Sequence, residues 1–138
     1  MSGIDNVFDV GARALSAQMT RMNTVASNLA NAGTITGSAD TAYRAIRPVF
    51  ETEYANVLGD QSLATVNVEG IVSLDREPAK TYRPDHPQAD PEGYVYESAV
   101  NVDEEMVDMV EASSQYKNTL EAISTLRALM AKTANMGQ

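Results

Sequence analysis

Two long proline-free segments, one near each end of the chain, carry large apolar residues at a spacing of seven. In the first, from residue 5 to residue 31, the repeating positions are Phe8, Leu15, Met22 and Leu29. In the second, from residue 101 to residue 134, they are Val102, Met109, Tyr116, Ile123 and Met130. Because seven residues make nearly two helical turns, each series follows one side of a helix. The sequence therefore predicts two long helices, each with a narrow apolar stripe.

Each predicted helix has residues suited to one of its ends. Asn31 and Gly33 follow the last apolar position of the first stripe, and both residue types accept the left-handed conformation that ends helices. Asn101 and Glu104 resemble a capping box at the start of the second helix. The acids at 103–105 place negative charge at the positive end of the helix dipole. Helix electrostatics thus explain these carboxylates without a catalytic role.

All five prolines and five of the eight glycines lie between the two helices, so helix is not expected there. Alternating apolar pieces predict strands at 43–50, 63–68, 71–74 and 93–97. Residues 75–92 are expected to form an exposed acidic connection. The predicted fold is mainly α with a small β-rich insertion, its terminal helices pairing as a coiled coil. Its predicted parts are an N-terminal helix over 1–32, a β-rich and loop region over 33–100, and a C-terminal helix over 101–138.

The charge is concentrated in the middle of the chain. The 138 residues carry a net charge of -9, and residues 51–111 alone hold 15 acids against three bases. Nucleic acid is not an expected partner, because phosphate binding requires clustered Lys and Arg. The chain has no run of 18 apolar residues, so no membrane span is predicted. The first residues do not resemble a secretory signal.

The residue inventory leaves little material for catalysis. With no cysteine, the chain has neither thiolate metal ligands nor a thiol nucleophile. Its one histidine, His86, lies in a proline-bearing loop and is interpreted as a solvated side chain. We therefore predict no enzyme activity, no cofactor, no metal and no small-molecule substrate. A carboxylate-based enzyme is the weakest alternative and would require a pocket that shifts a carboxylate pKa.

The length of the helices points to assembly. They would extend about 40 and 50 Å, whereas a compact domain of this size has a radius of gyration of about 14 Å. Even if the two stripes face each other, Val107, Val110 and Leu126 remain on other faces of the second helix. We therefore expect further copies or partners to pack alongside.

Specific residues resemble a known family. The first helix carries Leu15-Ser16-Ala17-Gln18, Asn23 and the run from Ala26 to Ala32, which is similar to the N-terminal signature of bacterial flagellar rod and hook proteins. Further matches narrow the resemblance to the proximal-rod proteins of the flagellar basal body: Tyr43, Arg44, Ala45, Pro87, Ala89, Asp90, Gly93, Tyr94, Val95, Asn101, Val102, Glu105, Met106, Val107. Residues 51–80 match weakly.

The resemblance implies a structural subunit of the periplasmic rod, which transmits torque from the rotor to the hook. It implies export by the flagellar export apparatus without a cleaved signal peptide, and assembly with other rod proteins and copies of itself. The expected subunit interface comprises Phe8, Leu15, Met22, Asn28, Leu29, Asn31, Met109, Tyr116, Ile123 and Met130. An alternative function is an acidic cytoplasmic helical-hairpin chaperone or adaptor, which would be a folded dimer that is not exported.

Overall fold

The computed structural model describes residues 2–55 and 63–137. In chain order the elements are α1 (Ser2–Asn31), β1 (Ile35–Thr36), β2 (Ile46–Ala55), β3 (Leu63–Ser73), β4 (Lys80–Tyr82), β5 (Tyr94–Glu97) and α2 (Val102–Met136). The two helices thus precede and follow a small antiparallel β region in the chain, as the sequence predicts.

The sequence locates the helix ends within a few residues. α1 ends at Asn31 as predicted and begins three residues before the predicted start. Asn101 is the N-cap of α2, because its side-chain oxygen accepts hydrogen bonds from the backbone N–H groups of Asp103 and Glu104, at 3.1 and 3.3 Å. Glu104 directs its own carboxylate to Arg76, at 2.8 Å, in an exposed ion pair.

The two helices run antiparallel and pack against each other. The end of α1 lies beside the start of α2, where Arg21 pairs with Asp108. Further along, Gln18 Nε2 donates to Gln115 Oε1 at 3.2 Å. Phe8 and Leu15 of the first stripe line a groove between the helices together with Ile123 of the second. Eight stripe side chains are half-buried: Phe8, Leu15, Met22, Leu29, Met109, Tyr116, Ile123 and Met130.

Gly11 allows the two helices to approach closely. A Cβ at this position would lie 2.6 Å from Cδ1 and 2.9 Å from Cγ1 of Ile123. We expect Gly11→Leu to lower the free energy of unfolding by about 1–3 kcal/mol, because the larger side chain overpacks the seam. Denaturant unfolding followed by circular dichroism measures the change. Ala26→Leu, at an exposed position of the same helix, is the control and should change stability by less than about 0.5 kcal/mol; equal losses in both variants would contradict the prediction.

β2 and β3 form a long antiparallel hairpin that packs against α1. Their register runs from the pair Ile46–Ser73 to the pair Ala55–Leu63, with a bulge between Val49 and Phe50. The two predicted strands at 63–68 and 71–74 are one continuous strand, so the predicted break was wrong. Gly70 does not interrupt the pairing, because it lies opposite Val49 at the edge of the bulge.

The remaining strands form a second sheet in the order β1-β5-β4. The prediction that residues 75–92 are only a connection was wrong in one part, since β4 pairs with β5 there. Tyr82 and Tyr94 meet edge to face at 5.2 Å, and Lys80 Nζ lies 4.1 Å from the centre of the Tyr94 ring. These cross-strand contacts stabilise a strand too short to be recognised from its own three residues.

The subunit has a small interior and a large surface. Its accessible surface is 9340 Å², against about 7000 Å² for a compact monomer of the same mass. Among the described residues, the buried apolar side chains are all small: Ala17, Val25, Ala42, Ala45, Val95 and Ala112. No helix within the described ranges is long and apolar enough to cross a membrane. Much apolar surface therefore remains available for contact with other chains.

Candidate functional site

The outward face of α2, on the side away from α1, exposes a cluster of apolar side chains. Met106, Val107 and Val110 are 56%, 68% and 70% exposed. They line an open groove of about 730 Å³ that continues along the helix to Asn118. Large apolar groups at such exposure are typical of surfaces that another molecule covers.

A second groove, of about 630 Å³, adjoins the first and shares Val107 and Glu111 with it. Its opposite wall is formed by Pro48 and Phe50 of β2, and Phe50 is 41% exposed. Arg21 lines this groove and contacts Glu111 at 3.3 Å. The two grooves together form a continuous apolar surface with a charged border.

The half of the helix pair that contains the start of α1 and the end of α2 exposes a second group of apolar side chains. Leu129 and Met136 of α2 are 57% and 78% exposed, and Val7 of α1 is 43% exposed. Nearby, the Arg127 guanidinium lies 5.9 Å from the centre of the Phe8 ring, in reach of a cation–π contact. Both halves of the helix pair thus present apolar surface that the subunit does not bury itself.

A buried polar cluster joins the helices to the hairpin. Asn28, in the last turn of α1, is fully buried. Its Nδ2 donates to the Ile46 carbonyl and to Glu105 Oε2, both at 2.9 Å. Its Oδ1 accepts from the Ile46 N–H at 2.8 Å and from the Tyr43 hydroxyl at 2.9 Å. The whole hydrogen-bonding capacity of this amide is therefore used within the subunit.

Glu105 is the fully buried carboxylate of this cluster. Arg47 donates to it through two nitrogens, Nη2 to Oε1 at 2.5 Å and Nη1 to Oε2 at 3.0 Å. This hydrogen bonding and the negative charge of Glu105 raise the pKa of Arg47, against the smaller opposing effect of burial. The end of α1, the start of β2 and the start of α2 meet at this pair.

The ten residues predicted to form a subunit interface occupy two environments. The eight stripe residues are half-buried, and Phe8, Leu15 and Ile123 among them line a groove between α1 and α2. Asn28 lies inside the polar cluster, and Asn31 Nδ2 donates to the Ser27 carbonyl at 2.8 Å. The part of all ten residues in contacts between subunits stays a prediction.

Sequence reasoning missed the role of Glu105, which it explained by the helix dipole together with Asp103 and Glu104. The signal for burial was its spacing. Glu105 precedes Met109 by four residues and Ala112 by seven, and so lies on the same face of α2 as the apolar stripe. His86 lies in a turn, where its Nδ1 accepts from the Gln88 N–H at 3.1 Å. The described residues contain no group of three side chains able to hold a metal ion.

Comparison with known proteins matches the two helical ends of the chain to flagellar families. The family described as "Flagella basal body rod protein" matches residues 8–35, which include most of α1 and Asn28. The family described as "Flagellar basal body rod FlgEFG protein C-terminal" matches residues 92–136, which include β5, Glu105 and α2.

Relatives match nearly the whole chain. The flagellar basal-body rod protein FlgC of Salmonella typhimurium is 38% identical over 133 residues, covering 96% of this chain and 97% of the relative. The FlgC proteins of Escherichia coli O157:H7 and Aquifex aeolicus are 37% and 38% identical, with 96% of this chain covered and 97% and 96% of their own lengths. This chain therefore belongs to the FlgC family of flagellar basal-body rod proteins, which are structural components and not enzymes.

Proposed function

We propose that this rod subunit polymerises through the outward faces of its terminal helices into the periplasmic shaft that transmits torque from the rotor to the hook. The observation that carries the proposal is the exposure of Val107 and Val110, at 68% and 70%, on a helix whose opposite face is already covered by α1. A neighbouring subunit that covers this surface removes it from water, which stabilises the assembly by about 25 cal/mol for each Å² of apolar area.

In the assembled rod, the two helices pair as a coiled coil over 1–32 and 101–138, and residues 33–100 form the outer β-rich part. Two features support this arrangement. Phe8 and Leu15 line a groove together with Ile123 of α2, and the absence of a side chain at Gly11 permits close contact with Ile123. The ten predicted interface residues stabilise the rod partly by fixing the arrangement of the two helices against which neighbouring subunits pack.

The partners of the subunit are copies of itself and other rod proteins, and the flagellar export apparatus delivers it without a cleaved signal peptide. The small interior supports delivery as an unfolded chain, because the long helices gain most of their stability from packing. The cytoplasmic chaperone or adaptor alternative is disfavoured by the match to rod proteins over 96% of the chain.

A clean deletion of the coding sequence tests this function. Basal bodies isolated from the deletion strain and imaged by electron microscopy are expected to lack a complete rod, and the cells are expected not to swim. Expression of the wild-type chain should restore both rods and swimming. Intact rods and normal swimming in the deletion strain would contradict the proposal.

A further inference from the structure

Charge is distributed unequally along α2. The half from residue 102 to residue 116 carries five acids and no base. The half from residue 117 to residue 136 carries three bases and one acid, a net charge of +2. Arg47 pairs with Glu105 and Arg76 pairs with Glu104, while Arg21 is shared between Asp108 and Glu111. These three arginines of the same chain offset three of the five acidic charges. The two halves therefore keep opposite net charges of -2 and +2.

Apolar groups accompany both charged halves on one side of the helix. At 3.6 residues per turn, Leu129 and Lys132 lie within about 40° of Val107 around the helix axis. Leu129 is 57% exposed, and Met136, on the same side, is 78% exposed. In the second half of α2, Arg127 lies over the Phe8 ring of α1, and Glu121, also on the outward side, lies eight residues before Leu129. The outward side of α2 thus presents an acidic apolar groove in its first half and, around residue 132, a ridge formed by Leu129, Lys132 and Met136, which we call the basic ridge.

We propose that the basic ridge of one copy docks, parallel and staggered, into the acidic groove of the next copy. Leu129 lies between Val107 and Val110 of the neighbour, and Lys132 lies opposite Glu111. This register corresponds to a stagger of about 21 residues, or about 31 Å along the helix axis. The proposal rests on the proposed function as a rod subunit and adds to it the contact surface, the partner and the register.

The groove of one copy could also meet the ridge of another in an antiparallel pair. Symmetry distinguishes this arrangement from the staggered parallel one. An antiparallel pair is two-fold symmetric, satisfies both surfaces at once and stops at a dimer. The staggered parallel contact leaves one free groove and one free ridge at the ends of every assembly, so addition continues. Only the second arrangement builds a polymer in which all subunits point the same way.

Because the chain has no cysteine, disulfide trapping can test the register directly. A Val110→Cys/Leu129→Cys double variant is expressed in the deletion strain, and isolated basal bodies are oxidised. Non-reducing gels are expected to show trimers and larger species. Matched control cysteines replace Glu69 and Asp85, which are exposed outside α2, and should leave the chain monomeric. A product that stops at dimers, or no product from intact rods, would overturn the proposal.

A charge exchange provides a second measure that does not depend on cysteines. Glu111→Lys and Lys132→Glu are each expected to lower the amount of subunit recovered in basal bodies about fivefold. The double variant, which restores opposite charges, should recover most of the loss. If the double variant is no better than either single one while wild-type rods form normally, this contact is wrong and the rod function still stands.

Discussion

Replacing Glu105 by alanine is expected to lower the free energy of unfolding by about 3–5 kcal/mol. Glu105 is fully buried and accepts hydrogen bonds from both Asn28 and Arg47. Its removal leaves the Arg47 guanidinium without its carboxylate and one donor of the buried Asn28 amide without an acceptor. Removing one partner of a buried pair leaves the other without a partner, and the stability lost in this way is large. Replacing both partners by apolar residues of similar size would cost far less.

Glu104→Ala is the matched control for this variant. Glu104 is the preceding residue on the same helix, and its pair with Arg76 is exposed, with side-chain exposures of 47% and 45%. Its loss should cost less than about 1 kcal/mol. Urea unfolding of the two purified variants, followed by circular dichroism, measures both values. Similar losses would show that the Glu105 cluster does not stabilise the junction of the helices and the hairpin.

Replacing Val110 by aspartate is expected to abolish incorporation of the subunit into rods and leave its fold intact. Val110 is 70% exposed and lies on the solvent side of α2. The change should therefore alter the free energy of unfolding by less than about 0.5 kcal/mol. In the assembled rod the new carboxylate would be buried without a partner, which costs several kcal/mol at every contact.

The matched control is Ser113→Asp, which adds the same charge to the same helix at an exposed position away from the groove. Immunoblots of purified basal bodies compare the amount of each variant, and swimming assays report assembly in cells. We expect no incorporation for the Val110 variant and near-normal incorporation for the control. Normal swimming with Val110→Asp would show that this face is not an interface.

The helices could be predicted from the sequence because their signals are local. The seven-residue stripes and the Asn101 cap are readable within a single helix, and the structure contains both predicted helices and the cap. The exposure of Val107 and Val110 could also be predicted, because these residues fall outside the stripe, whereas Leu126, which was grouped with them, is half-buried. By contrast, the pairing of β4 with β5 depends on residues distant in sequence, so its three residues carry no sufficient signal of their own.

The polar cluster was harder to predict for a different reason. Glu105 directly follows two exposed acids, Asp103 and Glu104, and its local sequence fits a helix start equally well. Its burial is set by Arg47 and Asn28, which are 58 and 77 residues away. A charged residue on an apolar face was the available indication, and it identifies a buried pair only when the partner is known.

Electron cryo-microscopy of intact basal bodies tests the central claim most directly, because it shows what covers the outward face of α2 in the rod. We predict that this chain lies in the rod and that a neighbouring subunit covers Val107 and Val110. A rod in which both side chains face solvent, or from which this chain is absent, would contradict the account.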